Sequence, residues 1–166
     1  MRDGRVTLFI LVAGAGYQNL VLCLLQHGAN VDQIGVKGMT PLMVAAQGGY
    51  PDVVELLLHN DHGVDIQIKS HDGITPLLHA IQANHSDIID LLLQSGEDIE
   101  CLGVGGVTPL MHAVWMGSVK ACERLIDLGA DANAKDSNGR RPLWWALENR
   151  NEKIASMLLE SAGGRR

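Results

Sequence analysis

Apolar positions recur along the chain at helical spacing, in pairs of short segments. Phe9, Leu42, Leu77, Leu110 and Leu143 are each followed three residues on by Val12, Ala45, Ala80, Ala113 and Ala146. One position further stand Ala13, Ala46, Ile81, Val114 and Leu147. Offsets of three and four put these residues on one face of a short helix. A polar turn follows each segment, at Gly16, Gly49, Asn84, Gly117 and Arg150. A second helical pattern comes next. Its apolar pairs are Leu20-Val21, Val53-Val54, Ile88-Ile89, Ala121-Cys122 and Ile154-Ala155, with Leu24-Leu25, Leu57-Leu58, Leu92-Leu93, Leu125-Ile126 and Leu158-Leu159 behind them. Gly28, Gly63, Gly96 and Gly129 close four of these helices, as left-handed C-terminal caps do.

Each helix pair has the same punctuation at its start. Thr-Pro-Leu stands at Thr40, Thr75 and Thr108, a degraded Arg-Pro-Leu at Arg141, and Thr-Leu-Phe at Thr7; the steps are 33, 35, 33 and 33 residues. Threonine caps a helix by accepting a backbone N–H that has no partner within the helix, and proline suits the first helical position. Gly38, Gly73, Gly106 and Gly139 precede the last four copies and permit a tight turn there. Two extra residues just before Gly63 account for the longer step. A fixed period in this range is the signature of a stacked helical repeat.

With Thr40-Pro41-Leu42, Ala45-Ala46, Gly49, Val53-Val54, Leu56-Leu57-Leu58 and Gly129-Ala130-Asp131-Ala132-Asn133, the chain resembles the ankyrin-repeat family over essentially its whole length. The resemblance implies an all-α solenoid of stacked helix-turn-helix units with projecting turns. It implies one domain over 1–166, with repeats near 2–34, 35–69, 70–102, 103–135 and 136–166. The family's histidine after Thr-Pro-Leu is missing from every copy; Ile10, Met43, Leu78, Met111 and Trp144 stand there, and His79 and His112 come one residue later. Apolar packing between neighbouring repeats is expected in place of that histidine's hydrogen bonds. Asparagines placed like Asn133 can be hydroxylated in this family, but a structural role in the loop is the simpler reading.

The resemblance implies a non-enzymatic module that binds a protein or peptide on the concave face formed by turn tips and first helices. The residues expected there are Val36, Met39, Ile74, His79, Val107, His112, Trp115, Met116, Arg140, Trp145 and Glu148. Trp115 stands where other copies carry Gln47 and Gln82, a substitution that core packing does not account for. Tryptophan and arginine dominate binding hot spots, and methionine adapts to varied partners. Trp144 aligns with Met43 and Met111 and is expected in the core. Two alternatives are a structural segment of a longer array and a regulatory domain of a separate enzyme.

Composition narrows the chemistry. Hydrophobic residues make up 46% of the chain and aromatics only 4%, which suits an aliphatic core between thin helices. A net charge of −6 without a basic stripe argues against nucleic acid. No apolar run approaches the ~20 residues of a membrane helix. Three cysteines, Cys23, Cys101 and Cys122, show no paired spacing, which points to a reducing, cytoplasmic or nuclear setting. Cys23 and Cys122 read as core residues and Cys101 as an exposed loop residue. Arg2, Arg5 and the apolar stretch Val6 to Val12 imitate a secretory leader, yet Thr7 and Gly16 fall 33 residues before Thr40 and Gly49, in register with the repeat. No catalytic set and no cofactor motif stands out. His59, Asp61, His62 and Asp65 are the best metal candidates, but a short polar insertion explains them better than a closed site of about four ligands, and no metal is expected. The ends differ. Polar residues Asn149 to Lys153 make the last repeat look like a cap, whereas Phe9, Ile10, Leu11 and Leu22 leave the first one apolar and suggest self-association through it.

Overall fold

The computed structural model describes residues 7–59 and 62–163. Outside them lie Arg2 and Arg5 of the leader-like flank, Asp61 of the His-rich loop, and the last three residues of the tail. Among the described residues there are ten α-helices and no strand. They fall into two compact units, Met1–Glu97 and Asp98–Arg166.

The first unit holds three helix pairs: α1 (Leu8–Gly14) with α2 (Gln18–Gln26), α3 (Pro41–Gly48) with α4 (Pro51–Leu58), and α5 (Pro76–Ala83) with α6 (Ser86–Gln94). First helices pack on first helices, α1 on α3 and α3 on α5; second helices do the same, α2 on α4 and α4 on α6. Leu42, Met43, Leu57, Leu77, Ile88 and Leu92 form the seams and are fully buried. The second unit holds α7 (Pro109–Trp115) with α8 (Val119–Asp127), and α9 (Pro142–Glu148) with α10 (Glu152–Gly163). There α7 packs on α9 and α8 on α10, around Leu110, Met111, Leu125, Ile154 and Leu158.

Local chemistry explains where the helices begin. Thr7, Thr40, Thr75 and Thr108 accept the backbone N–H of Ile10, Met43, Leu78 and Met111 at 3.3–3.4 Å. Arg141 has no such bond, although its backbone (φ −95°, ψ 164°) is that of Thr40. Ahead of each of the last four first helices the chain doubles back in a tight turn. The N–H of Gly35, Ser70, Gly103 and Asp136 donates to the carbonyl of Met39, Ile74, Val107 and Arg140. The turns hold one another within each unit, His71 N–H on the Lys37 carbonyl and Ser137 N–H on the Gly105 carbonyl, both at 2.9 Å. In the loops that follow the second helices, Asp32 accepts the Asp65 N–H at 3.0 Å and Glu100 accepts the Asp131 N–H at 2.7 Å. Buried Glu97 reaches back to accept the Leu77 N–H, completing the start of α5.

Several expectations are corrected. Phe9 and Ile10 are buried, because α1 turns them into its seam with α3; they offer nothing for self-association. Cys101 is buried and Cys23 is exposed, the reverse of the sequence reading, since Cys23 lies on the outer side of α2. The last pair is a polar cap only at its turn; Trp144, Leu147 and Leu159 are exposed on its helices. Among the described residues no helix is long and apolar enough to cross a membrane.

Candidate functional site

The largest cluster of aromatic and cationic side chains lies in the second unit, on α7, α9 and the turn between α8 and α9. Helix α7 is short. Pro109 to Val114 are all buried, and the helix ends just as its register reaches solvent. Trp115 is therefore 55% exposed, and Met116 beside it is 47% exposed. The Trp115 ring meets the His112 ring edge-on, with centroids 5.6 Å apart at 84°. Its carbonyl accepts the Asn149 side-chain N–H at 3.0 Å, which ties the end of α7 to the end of α9. An exposed tryptophan is thus held at its backbone and on one edge of its ring.

Arg140 is the second fixed point. It leaves the turn with its guanidinium 4.2 Å from the Trp145 ring centre and 4.8 Å from that of Trp144. The two indoles are themselves edge-on at 5.1 Å and 90°. Guanidinium over an indole face is an attractive cation–π arrangement. Arg140 Nε donates to Asp136 Oδ2 at 2.7 Å. Asp136 Oδ1 accepts the backbone N–H of Asn138 at 2.8 Å and of Arg140 at 2.9 Å. Burial by itself would raise the Asp136 pKa. The Arg140 backbone N–H, the Arg140 guanidinium and the Asn138 N–H outweigh it and hold the carboxyl below its ordinary value. Asp136 is therefore a charged anchor at neutral pH, and the arginine it anchors keeps its terminal nitrogens for other work.

The remaining expected residues divide. Val36 and Glu148 are exposed; Met39, Ile74, Val107 and Trp145 are half-buried. His79 and His112 are only 5% and 9% exposed, so burial withdraws both from the surface on which they were expected. Burial also lowers the His112 pKa, leaving that ring neutral at pH 7. Trp144, expected in the core, is 41% exposed. Sequence reading missed Trp144 and Asp136 as parts of this cluster. The signal for Asp136 was present: an aspartate opening Asp-Ser-Asn-Gly-Arg, where the other copies have Gly35, Ser70 and Gly103, is suited to accept backbone N–H groups two and four residues on.

Such a surface can stack, bury apolar groups and donate hydrogen bonds. His59, His62 and Asp65 lie in the first unit at the end of α4, and among the described residues no three His, Cys, Asp or Glu side chains come together as a metal site would require.

A family model described as ankyrin repeats, in three copies, matches residues 2–70, 62–136 and 106–165. Nothing among curated proteins matches the chain.

Proposed function

The chain belongs to the ankyrin-repeat family, and from that membership we propose that it binds a peptide or protein partner through the face its turns and first helices present. Ankyrin repeats are generally protein–protein interaction modules and typically carry no catalysis of their own. The observation that carries the finer reading is the exposed pair Trp115 and Met116, with Arg140 stacked on Trp144 and Trp145 in the same unit. A core has no use for an indole left in water at the end of α7. A partner has: burying a tryptophan side chain removes well over ~100 Å² of apolar surface from water. The indole already rests edge-on against the His112 ring and its backbone is tied by Asn149, so less entropy is lost on docking. Glu148 and the outer edge of the Arg140 guanidinium supply charges of both signs for a polar rim.

The test is retention of a cellular partner by the wild-type chain and by Trp115→Ala/Met116→Ala, after both are shown to melt alike. Both residues are exposed, so the variant is expected to fold normally and to lose the partner at least ten-fold, the scale of a hot-spot loss. Equal retention by the two proteins places binding elsewhere and ends this reading.

A further inference from the structure

The loops that lead into the first helices differ in charge. Those before α3 and α5 carry a single Lys or Arg each, Lys37 and Lys69, and the loop before α7 carries none. The loop before α9 carries three, Lys135, Arg140 and Arg141. The contrast lies in which residues stand there, whatever covers them. The acidic balance of the chain also lies elsewhere: residues 1–97 hold ten Asp and Glu against four Lys and Arg, whereas residues 98–166 hold nine of each.

Lys135 and Arg141 are exposed, and neither forms an ion pair among the described residues. Arg140 gives its Nε–H to Asp136 at 2.7 Å, and among the described residues its two terminal nitrogens have no hydrogen-bond partner. Those two nitrogens form the end of the guanidinium, an edge on which a carboxylate can take two parallel hydrogen bonds. Asp136 and the Trp145 ring, 4.2 Å from the guanidinium centre, set the direction of that edge in advance. Trp145 belongs to α9, and at the C-terminal end of the same seven-residue helix Asn149 holds the Trp115 backbone. The cationic edge and the exposed indole are thus linked through one short helix. Glu148 places a negative charge at the Asn149 end, so an acidic group is favoured at the turn and opposed beside Trp115.

We propose that the partner of this face is an acidic peptide segment, whose Asp or Glu carboxylate docks on the terminal nitrogens of Arg140 while an apolar side chain of the same segment covers Trp115 and Met116. This inference rests on the reading that Trp115 and Met116 meet a partner. Lys135 and Arg141 add a longer-range attraction for the same charge, screened as salt rises. Asp136 already balances much of the Arg140 charge, so the site suits a carboxylate monoanion better than a phosphate dianion.

Selection of a random peptide library displayed on phage against the wild-type chain tests this. The retained peptides are expected to be enriched in Asp and Glu and to carry an apolar residue nearby. The most enriched peptide is then synthesised, and its affinity measured for wild type, Arg140→Gln and Trp115→Ala/Met116→Ala, after melting shows that each protein folds. Both variants are expected to weaken it by at least about ten-fold, the scale of a hot-spot loss. Replacing the acid of the peptide by its amide is expected to cost wild type as much, a comparison that does not depend on how Arg140→Gln folds. Retained peptides without acidic enrichment, or an amide peptide that binds equally well, overturn the acidic partner; if Trp115→Ala/Met116→Ala still weakens binding, the face itself stands. A phosphoserine in place of the acid that binds ten-fold tighter also overturns it, in favour of a phosphorylated partner. Peptides that bind the Trp115→Ala/Met116→Ala variant undiminished, or a library from which nothing is enriched, end both readings together.

Discussion

Asp136 is the side chain on which the aromatic cluster depends. Its carboxylate accepts two backbone N–H groups and the Arg140 guanidinium, and these hold its pKa below the ordinary value. The sign of the linkage follows. A carboxyl with a lowered folded pKa stabilises the fold at every pH above its unfolded pKa, and that contribution is lost as pH falls through the folded value. Asp136→Asn is therefore expected to melt below wild type at pH 7, with the gap closing as the pH drops below the ordinary carboxylate range. A gap that persists undiminished in acid would show that the side chain's shape matters and its charge does not. Arg140 is the more exposed partner of the pair, so it gains its fixed direction from Asp136, while Asp136 gains its low pKa from the turn. Trp144 and Cys101 were misread at this scale for one reason. Alignment to a repeat position gives a residue the average burial of that position, and both lie where local surroundings depart from it: Trp144 in a pair with an open outer face, Cys101 in a loop covered by its neighbours.

At the scale of the element, the caps and turns were legible because they need particular residues. Thr7, Thr40, Thr75 and Thr108 cap as their spacing suggests, and Gly28, Gly63, Gly96 and Gly129 all have positive φ. The last pair departs from the pattern twice, and each departure can be repaired. Arg141 already has the backbone of a cap without the hydroxyl. Arg141→Thr is expected to stabilise the chain by about 1 kcal/mol, the usual worth of an N-cap side chain. Arg150 sits at φ 54°, where Gly16, Gly49 and Gly117 occupy the matching turns at φ 69–76°. A side chain in the left-handed region costs roughly 1 kcal/mol, so Arg150→Gly is expected to raise stability by about that amount. Chemical denaturation of the two variants checks both; a loss of stability in either would show that the arginine makes a contact worth more than the cap or the strain. By the same logic, a Cβ at Gly49 would run into the His85 ring, so that turn cannot accept the change in reverse.

For the molecule as a whole, the period made the architecture plain and left the surface dark. A repeat of about 33 residues needs Leu42, Leu77 and Leu110 in its seams whatever the chain binds, so those residues announce the fold. Trp115 could be noticed as an anomaly in the repeat, but the Asn149 side chain that bonds its carbonyl comes from the end of the next first helix, beyond the reach of a local pattern. The burial of His79 and His112 likewise depends on packing that no local pattern encodes. The distribution of sulfur has a use of its own. Cys23 is exposed on α2 in the first unit, whereas Cys101 and Cys122 are buried in the second. Burial, and then the neighbouring Glu123 carboxylate, pushes the Cys122 thiol up to about 12, so it has almost no thiolate with which to react while folded. A colorimetric disulfide reagent should therefore consume one thiol at once and the other two only as fast as the second unit opens. That slow phase is a clock on the opening of Asp98–Arg166 alone, and Cys23 becomes a single chemical handle by which a dye or a surface can be attached to the other unit.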